Sequence, residues 1–373
     1  MSNSNLKNFS YIVINRISTT GLHGIFWLIL ATLLKPESFG ELSYIVALIS
    51  IFVLISNFGA TNSIIVFQAK QNHLVSNGIN SLFVITTFVS ALILLTINEF
   101  AALVSLGFSF FAMNQANLLG QRQYKKFMWT GLAKGIIFLV LPISLYHVFD
   151  ITGILLGMAV ADILCSIYFW KSLKFTKESF LSLKDNYKIL LHNFANDANN
   201  VLPRIADKLL IVPLFGFALT GIYQFNLQIL FALEIIPITL YSYLLPEESS
   251  GRKHNKLIYY SILISILSTI LVIVVSPIVI PILFPEYVDG IFSLQILLVS
   301  IIPLNLSYIF NVKLQSKIST TIGFSLFIRL ASLLILIFLL GDLYGLVGLS
   351  VAFLVSAILN TIFLSILYKR SQY

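Results

Sequence analysis

Residues 187–214 read YKILLHNFANDANNVLPRIADKLLIVPL, an apolar stretch long enough to cross a membrane that carries four charged side chains in its middle. At about 100° per residue, its polar side chains fall within roughly one third of the helix circumference. They are Asn193, Asn196, Asp197, Asn200, Arg204, Asp207 and Lys208. Four charges would cost on the order of 10 kcal/mol against lipid, because each costs roughly 2.5–3.5 kcal/mol at a helix centre. The pattern favours a membrane-spanning helix whose polar face lines a wet cavity.

A helix lying flat on the membrane surface is the alternative, and the length of this stretch is compatible with it. Two observations argue against it. The following residues 209–219, LLIVPLFGFAL, are apolar on all sides, and the charges have mixed sign. A surface helix on anionic lipid is instead rich in Lys and Arg on its polar face.

The composition indicates a polytopic membrane protein. Of 373 residues, 58% are hydrophobic and 10% are charged, against roughly 25% charged residues in a typical soluble domain. The single Cys165 excludes a disulfide within the chain, and no Cys/His cluster has the spacing of a metal site. No GxxxxGK[ST] motif is present, so we expect neither a cofactor nor direct use of ATP.

Twelve apolar runs are long enough to span a membrane. They lie at about 10–34, 39–67, 78–97, 101–119, 127–149, 151–170, 187–214, 217–245, 257–284, 288–312, 319–340 and 343–368. The first run contains Arg16 and His23 and is too long for the apolar core of a signal peptide, so we interpret it as a retained helix. The predicted fold is therefore all-α, with about twelve transmembrane helices.

The positive residues collect on alternate loops. Seventeen of the 23 Lys and Arg lie in loops on the same side as the N-terminus, and the opposite loops hold only Lys35. Positive loops face the cytoplasm, so both termini are predicted to be cytoplasmic. The net charge of +8 follows from this bias, and no nucleic-acid partner is expected.

The two halves of the chain show a weak internal repeat. Residues 39–44, FGELSY, resemble residues 220–225, TGIYQF, and residues 150–153, DITG, resemble residues 342–345, DLYG. An even number of helices per half preserves the orientation, which indicates parallel repeats with a cavity between them. We predict an N-terminal six-helix bundle with a cytoplasmic linker, residues 1–186, and a C-terminal six-helix bundle, residues 187–373.

Three stretches carry a recognisable family pattern. Residues 34–44 read LKPESFGELSY, residues 204–211 read RIADKLLI and are followed by Gly221-Ile-Tyr223, and residues 284–287 read FPEY. They resemble polysaccharide flippases of the multidrug/oligosaccharidyl-lipid/polysaccharide (MOP) exporter superfamily, especially bacterial O-antigen transporters of the Wzx type. The resemblance implies two six-helix bundles around a central cavity, and export of a lipid-linked sugar by alternating access.

A lipid-linked oligosaccharide has a polyprenyl chain, a pyrophosphate and a glycan. Arg binds phosphate oxygens in pairs and Lys supplies a point charge, so we expect Arg204 and Lys208, with Arg16, to bind the pyrophosphate. Snorkelling to the membrane surface is the alternative for Arg16. Asp197 and Asp207 are predicted to hold these cations when the site is empty. Asn200 and His23 complete the predicted cavity lining, although an isolated His is also typical of packing.

Coupling to an ion gradient needs titratable carboxylates within the membrane. The candidates are Asp162 and Glu234, the latter three residues before Pro237, where a helix kink would expose backbone carbonyls. Lys134 and Arg329 are lone charges that either pair with an acid such as Asp162 or contact substrate. The amide-rich residues 114–117 and 226–228 either bind sugar hydroxyls or join helices.

The function predicted from these observations is flipping of an undecaprenyl-pyrophosphate-linked oligosaccharide across the bacterial inner membrane. Its partners would be that lipid-linked glycan, membrane lipids and a polysaccharide polymerase. A Na⁺- or H⁺-coupled multidrug and toxin exporter is the alternative. The cavity of an exporter of cationic drugs, however, should be lined by carboxylates more than by cationic side chains. A membrane glycan ligase or polymerase is disfavoured because it needs a large outer loop, so no enzymatic activity is expected.

Overall fold

In the computed structural model, residues 3–249, 255–315 and 322–370 are described. Within these ranges the chain is helical and contains no strand. Its helices are α1 (Asn3–Arg16), α2 (Leu22–Leu33), α3 (Pro36–Asn57), α4 (Ala60–Ala69), α5 (His73–Leu95), α6 (Glu99–Gly120), α7 (Tyr124–Leu164), α8 (Ile167–Ser172), α9 (Lys177–Leu181), α10 (Tyr187–Ser249), α11 (Asn255–Leu283), α12 (Ile291–Val299), α13 (Ile301–Gln315) and α14 (Ile322–Arg370). A π-helical segment, Ile17–Gly21, joins α1 to α2, and a 3-10 turn, Pro285–Gly290, precedes α12.

Nine helical stretches among the described residues are long and apolar enough to cross a membrane. Three of them, Tyr124–Leu164, Val201–Tyr241 and Phe327–Arg370, have 41 to 44 residues, about twice the ~20 that one crossing needs. The backbone leaves the helical conformation inside each, at Asp150, Gly216 and Gly345. These breaks divide the three stretches into six crossings. The predicted all-α fold with twelve transmembrane helices is therefore confirmed.

Polar residues between the apolar runs cap the helices that follow them. The side chain of Asn72 accepts a hydrogen bond from the backbone N–H of Val75 at the start of α5, and Asn98 accepts one from Ala101 at the start of α6. Each bond satisfies a backbone donor that the helix itself leaves without a partner. The predicted break at Asn98 is thus a capped helix start.

The chain divides into two compact units. Unit 1 comprises Met1–Leu30 and Ile45–Ile205, and unit 2 comprises Ala31–Tyr44 and Ala206–Tyr373. Each has its own apolar core. Phe83, Phe110 and Phe169 are buried in the core of unit 1, whereas Tyr223, Leu297 and Phe353 are buried in that of unit 2. The predicted boundary between two six-helix bundles, at residues 186 and 187, stays a prediction.

Glycines allow close helix contacts in both units. Gly131 packs against the side chain of Asn15, and Gly135 packs against the backbone carbonyl of Ser18, so α7 lies directly on the helix that contains Arg16. Gly131 and Gly135, one turn apart, therefore allow this close helix contact. In unit 2, Gly40 and Gly221 pack against each other's helices.

Candidate substrate site

Asp197 lies at the centre of a polar cluster in unit 1. The side-chain amide of Asn62 donates a hydrogen bond to Asp197 Oδ1 at 2.7 Å, and that of Asn57 donates one to Asp197 Oδ2 at 3.3 Å. Each carboxylate oxygen therefore has one amide partner. Among the described residues no cation forms an ion pair with Asp197. The cluster thus presents a carboxylate held by neutral groups.

The break between α3 and α4 positions the two amides. The backbone at Gly59 has a φ of +73°, and a Cβ there would overlap the carbonyl oxygen of Leu190. Only glycine fits this turn without strain. The amide oxygen of Asn57 accepts a hydrogen bond from the backbone N–H of Thr61 at 3.1 Å, across the break. This bond orients the Asn57 amide nitrogen toward the carboxylate.

Two further contacts hold α10 against α4 and the turn before it, beside the cluster. Asn193, one turn before Asp197, donates a hydrogen bond to the Ser63 hydroxyl at 2.9 Å. The rings of Phe58 and Phe194 stack with centroids 5.1 Å apart. Because these contacts lie on the same stretch of α10, the position of the Asp197 backbone is fixed from both a polar and an apolar side.

A cavity of about 250 Å³ opens beside the cluster. It is lined by Ser50, Val53, Leu54, Asn57, Phe108, Asp197 and Val201. The volume accommodates several water molecules, and the polar lining offers them partners. A carboxylate, an amide, a hydroxyl and an aromatic ring together suit a ligand rich in hydroxyl groups. The predicted wet, polar face of this helix thus has a cavity next to it within unit 1.

Arg204 lies seven residues after Asp197 on the same helix. Seven residues are about two turns, so the two side chains share a helix face and are separated by roughly 10 Å along the axis. Arg204 is exposed. The side chain of Asn200, between them, lies outside the described residues. The predicted pyrophosphate site at Arg204 stays a prediction.

Lys208 and Asp207 form a buried pair in unit 2. Lys208 Nζ lies 3.1 Å from Asp207 Oδ1, and both side chains are almost fully buried. The predicted pairing of Asp207 with a neighbouring cation is confirmed. The hydroxyl of the buried Tyr223 lies among the charges of Asp207 and Arg329. Arg329 itself stacks on Phe353, with the guanidinium carbon 5.6 Å from the ring centroid.

Glu234 is also buried in unit 2. The Tyr308 hydroxyl donates a hydrogen bond to Glu234 Oε1 at 2.9 Å, and the ring of Tyr308 packs against that of Tyr241 at 5.8 Å. A buried carboxylate is stabilised by such a donor. The predicted ion-coupling role of Glu234 stays a prediction.

Lys134 pairs with Asp162 inside unit 1. Lys134 Nζ lies 3.7 Å from Asp162 Oδ1 and 3.9 Å from the ring centroid of Phe138. Burial makes both contacts valuable, because a charge without a partner is costly in this environment. Of the two alternatives for Lys134, the structure supports pairing with Asp162.

The predicted residues of the first helix have different surroundings. Arg16 is exposed and ends α1, directly before the π-helical segment. His23 accepts a hydrogen bond at Nε2 from the Trp27 indole N–H at 3.0 Å, and its ring lies 5.2 Å from that of Phe138. A nitrogen that accepts this bond carries no proton, so His23 is a neutral packing residue in this arrangement.

The amide-rich stretches join helices. Asn117 exchanges hydrogen bonds with Asn80 at 3.0 and 3.3 Å, and Gln68 donates to Asn117 at 3.2 Å. In unit 2, the Asn226 amide donates to the Gly290 carbonyl at 3.1 Å and to the Ser293 hydroxyl at 2.7 Å. These contacts support the structural alternative for both stretches.

Three partners of the predicted carboxylates were not predicted from the sequence, namely Asn57, Asn62 and Tyr308. Asn57 and Asn62 flank Phe58-Gly59 inside a run that was predicted as one helix, 39–67. A glycine between two amides in an apolar run is a signal for a helix break. Among the described residues, no group of three or more His, Cys, Asp or Glu is arranged to hold a metal ion.

Twelve predicted membrane crossings among the described residues, with buried ion pairs and a polar cavity beside a spanning helix, define a polytopic membrane protein. A model of the family described as polysaccharide biosynthesis protein matches residues 5–246, nearly two thirds of the chain. The chain belongs to this family. No curated protein matches the chain significantly.

Solved structures of MOP-superfamily transporters share the fold. The chain is similar to the lipid II flippase MurJ in an inward closed conformation, with a TM-score of 0.78 and 15% identity over 96% of this chain and 87% of that one. It is also similar to the inward-facing conformation of a multidrug resistance MATE family transporter of the MOP superfamily, with a TM-score of 0.72 and 14% identity over 98% of both chains. The outward-facing conformation of such a transporter matches with a TM-score of 0.62, at 13% identity over 98% of this chain and 95% of that one. The predicted resemblance is confirmed in two respects: the chain belongs to the polysaccharide biosynthesis protein family, and it shares its fold with these transporters.

Proposed function

We propose that this protein is a flippase that moves a polyprenyl-pyrophosphate-linked oligosaccharide, an O-antigen or other surface polysaccharide unit, from the cytoplasmic to the periplasmic leaflet by alternating access. The family match makes polysaccharide assembly the setting. The observation that carries the proposal is the cavity beside Asp197, Asn57 and Asn62. It lies within a protein whose helices are otherwise suited to lipid.

The chemistry of the cavity suits a glycan. Sugar hydroxyls both donate and accept hydrogen bonds, and a carboxylate held by two amides offers several acceptor positions to such groups. Phe108 adds an apolar face beside them. We assign the glycan to this cavity and the pyrophosphate to the exposed guanidinium of Arg204 two turns away, with Arg16 as a second candidate. Lys208, which already has a carboxylate partner, contributes less directly.

No ATP site was predicted, so an ion gradient is the proposed driver, with Asp162 and Glu234 as the coupling candidates. The proposed location is the bacterial inner membrane with both termini cytoplasmic, and a polysaccharide polymerase would receive the flipped unit. A reporter fused after Phe175, in the linker between α8 and α9, should then be cytoplasmic.

A multidrug exporter is the second candidate. The specific observation in its favour is that the carboxylate of Asp197 has only neutral amide partners among the described residues, which suits a cationic ligand. The two candidates differ in what accumulates when the protein is missing.

Deletion of the chromosomal gene tests the proposal. A flippase mutant should accumulate the complete lipid-linked glycan on the cytoplasmic face and lose the surface polysaccharide, and mass analysis of extracted lipids identifies the glycan. Expression of the wild-type chain should reverse both effects. Normal surface polysaccharide together with increased sensitivity to cationic drugs would contradict the flippase proposal and support the exporter.

A further inference from the structure

The segment between α7 and α10 is attached to unit 1 by one face. Phe169 and Leu183 are buried in the apolar core of this unit, and the buried Ser179 places its carbonyl oxygen against Gly78. The Ser81 hydroxyl donates a hydrogen bond to the backbone carbonyl of Lys174 at 3.3 Å. The backbone of residues 167–188 therefore has a fixed position on α5.

The other face of this segment is basic. Its five lysines are all exposed, and they are Lys171, Lys174, Lys177, Lys184 and Lys188. The exposed acids are Glu178 and Asp185, so lysines outnumber them on this surface. We call these five lysines and their exposed neighbours the basic surface of the linker.

Large apolar side chains interrupt the lysines. Trp170, Phe175, Leu181 and Tyr187 are between 42% and 62% exposed, although aqueous solvent disfavours such groups. Lys126 and Lys171 lie over the ring of Tyr168, at 5.0 and 5.8 Å from its centroid. Aromatic side chains next to lysines are typical of the headgroup region, where the ring contacts acyl chains and the ammonium contacts phosphate.

The position of the segment limits what can contact it. It lies between two helical stretches that are long and apolar enough to cross a membrane, Tyr124–Leu164 and Val201–Tyr241, so we expect its exposed face near the level of the lipid headgroups. Clusters of four to eight Lys or Arg directly next to a transmembrane helix attract anionic lipids through the surface potential of the leaflet. The excess of positive charge is complementary to such a headgroup.

We propose that the basic surface of the linker, residues 167–188, binds the headgroups of anionic phospholipids in the adjacent leaflet. The lysines contact the phosphates, and Trp170, Phe175 and Leu181 enter the region of the acyl chains. Burial of Phe169 and Leu183 holds these groups on one side. This binding is independent of the glycan and of the transport direction, so it stands or fails separately from the proposed function.

The test uses full-length protein in nanodiscs, with Trp170 as the reporter. Substitution of the other two tryptophans, Trp27→Phe and Trp129→Phe, leaves a single emitter. Quenching by brominated phosphatidylglycerol is compared with quenching by brominated phosphatidylcholine at equal lipid fractions. The expected result is stronger quenching by the anionic lipid. This preference should weaken with added salt, because salt screens the attraction between the lysines and the headgroups.

Two triple variants show whether these lysines are responsible. Lys174→Gln, Lys177→Gln and Lys184→Gln together should abolish the preference for phosphatidylglycerol, because each lysine near a membrane surface contributes about a fivefold change in binding. The control removes three exposed lysines elsewhere, by Lys70→Gln, Lys125→Gln and Lys369→Gln, and should retain the preference. Equal quenching by both lipids in the unmodified linker would overturn the proposal. Equal loss in both triple variants would also overturn it, since net charge and not this surface would then be responsible.

Discussion

Gly40 and Gly221 pack against each other's helices in a symmetric way. A Cβ on Gly40 would overlap the carbonyl oxygen of Phe217 and lie 2.8 Å from the Gly221 nitrogen. A Cβ on Gly221 would overlap the carbonyl oxygen of Pro36 and lie 3.0 Å from the Gly40 nitrogen. Each glycine thus contacts the carbonyl four residues before the other. The two glycines belong to the repeat segments noted in the sequence, 39–44 and 220–225, so the contact follows the internal repeat.

Replacement of either glycine should destabilise unit 2. We expect Gly40→Ala or Gly221→Ala to lower the free energy of unfolding by about 1–3 kcal/mol, because the new methyl group would displace a backbone carbonyl. The measurement is thermal unfolding of purified protein in detergent, together with the amount of inserted protein. Gly24→Ala is the matched control, since a Cβ at this helical glycine would meet nothing within 4 Å. Unchanged stability of both Gly40 and Gly221 variants would show that the contact is loose.

Substitution of Asp197 by Asn should impair transport without loss of protein. The side chain keeps its shape but loses its negative charge. That charge strengthens the hydrogen bonds that the side chain accepts from Asn57, Asn62 and ligand hydroxyls. A bond to a charged group contributes roughly 1.5–3 kcal/mol, so we expect glycan export to slow about tenfold or more. The measurement is surface polysaccharide per inserted protein in a deletion strain. Asp185→Asn, which changes an exposed acid in the linker, should have no effect. Full export by the Asp197→Asn protein would exclude the carboxylate from substrate binding.

Arg204 should tolerate Lys better than Ala. If its guanidinium binds pyrophosphate, Arg204→Ala should insert normally and lose most surface glycan. Arg204→Lys should recover part of it, because the charge survives and the bidentate geometry does not. The same assay of export and insertion measures both, with Arg370→Ala as an exposed control near the C-terminus. Low abundance of the Arg204→Ala protein would instead indicate a structural role, and well-expressed protein with normal export would contradict the pyrophosphate assignment.

Lys134 and Asp162 should depend on each other for stability. Removal of one partner leaves the other charge buried and unpaired, which costs about 3 kcal/mol or more. We therefore expect Lys134→Met and Asp162→Asn to reduce the abundance of inserted protein, and the double variant to recover much of it. The comparison of single and double variants isolates the pair interaction. Additive losses in the double variant would contradict the coupling.

The fold was predictable because the length of each apolar run in the sequence decides where the chain crosses the membrane. The predicted runs at residues 127–149 and 151–170 correspond to α7, which is broken at Asp150, and to the start of α8. The capped start at Asn98 matched a polar break in the sequence. The break at Gly59 was missed, because the run 39–67 is apolar on average and mean hydropathy does not register a change of backbone direction, although the amides of Asn57 and Asn62 lie beside it. The π-helical segment after Arg16 has no signal in hydropathy either.

The site was predictable only in part. Asp197 was identified as polar within an apolar run, and this needs only the sequence of its own helix. Its partners Asn57 and Asn62 lie at least 135 residues away in the chain, so tertiary packing brings them together. Likewise, the partner of Glu234 is Tyr308, on another helix. The placement of charges in the sequence therefore predicts which helix contributes to the site, whereas only the structure shows which side chains surround each charge.

Transport by the purified protein tests the central claim most directly. Vesicles containing the protein would carry a fluorescent polyprenyl-pyrophosphate oligosaccharide in both leaflets, and a membrane-impermeant reductant would bleach the outer pool. If the protein is a flippase, wild-type vesicles should lose nearly all fluorescence, whereas protein-free vesicles keep the inner half and Asp197→Asn vesicles lose it slowly. If wild-type vesicles instead keep the inner half while the same protein moves a cationic dye, the flippase assignment is wrong.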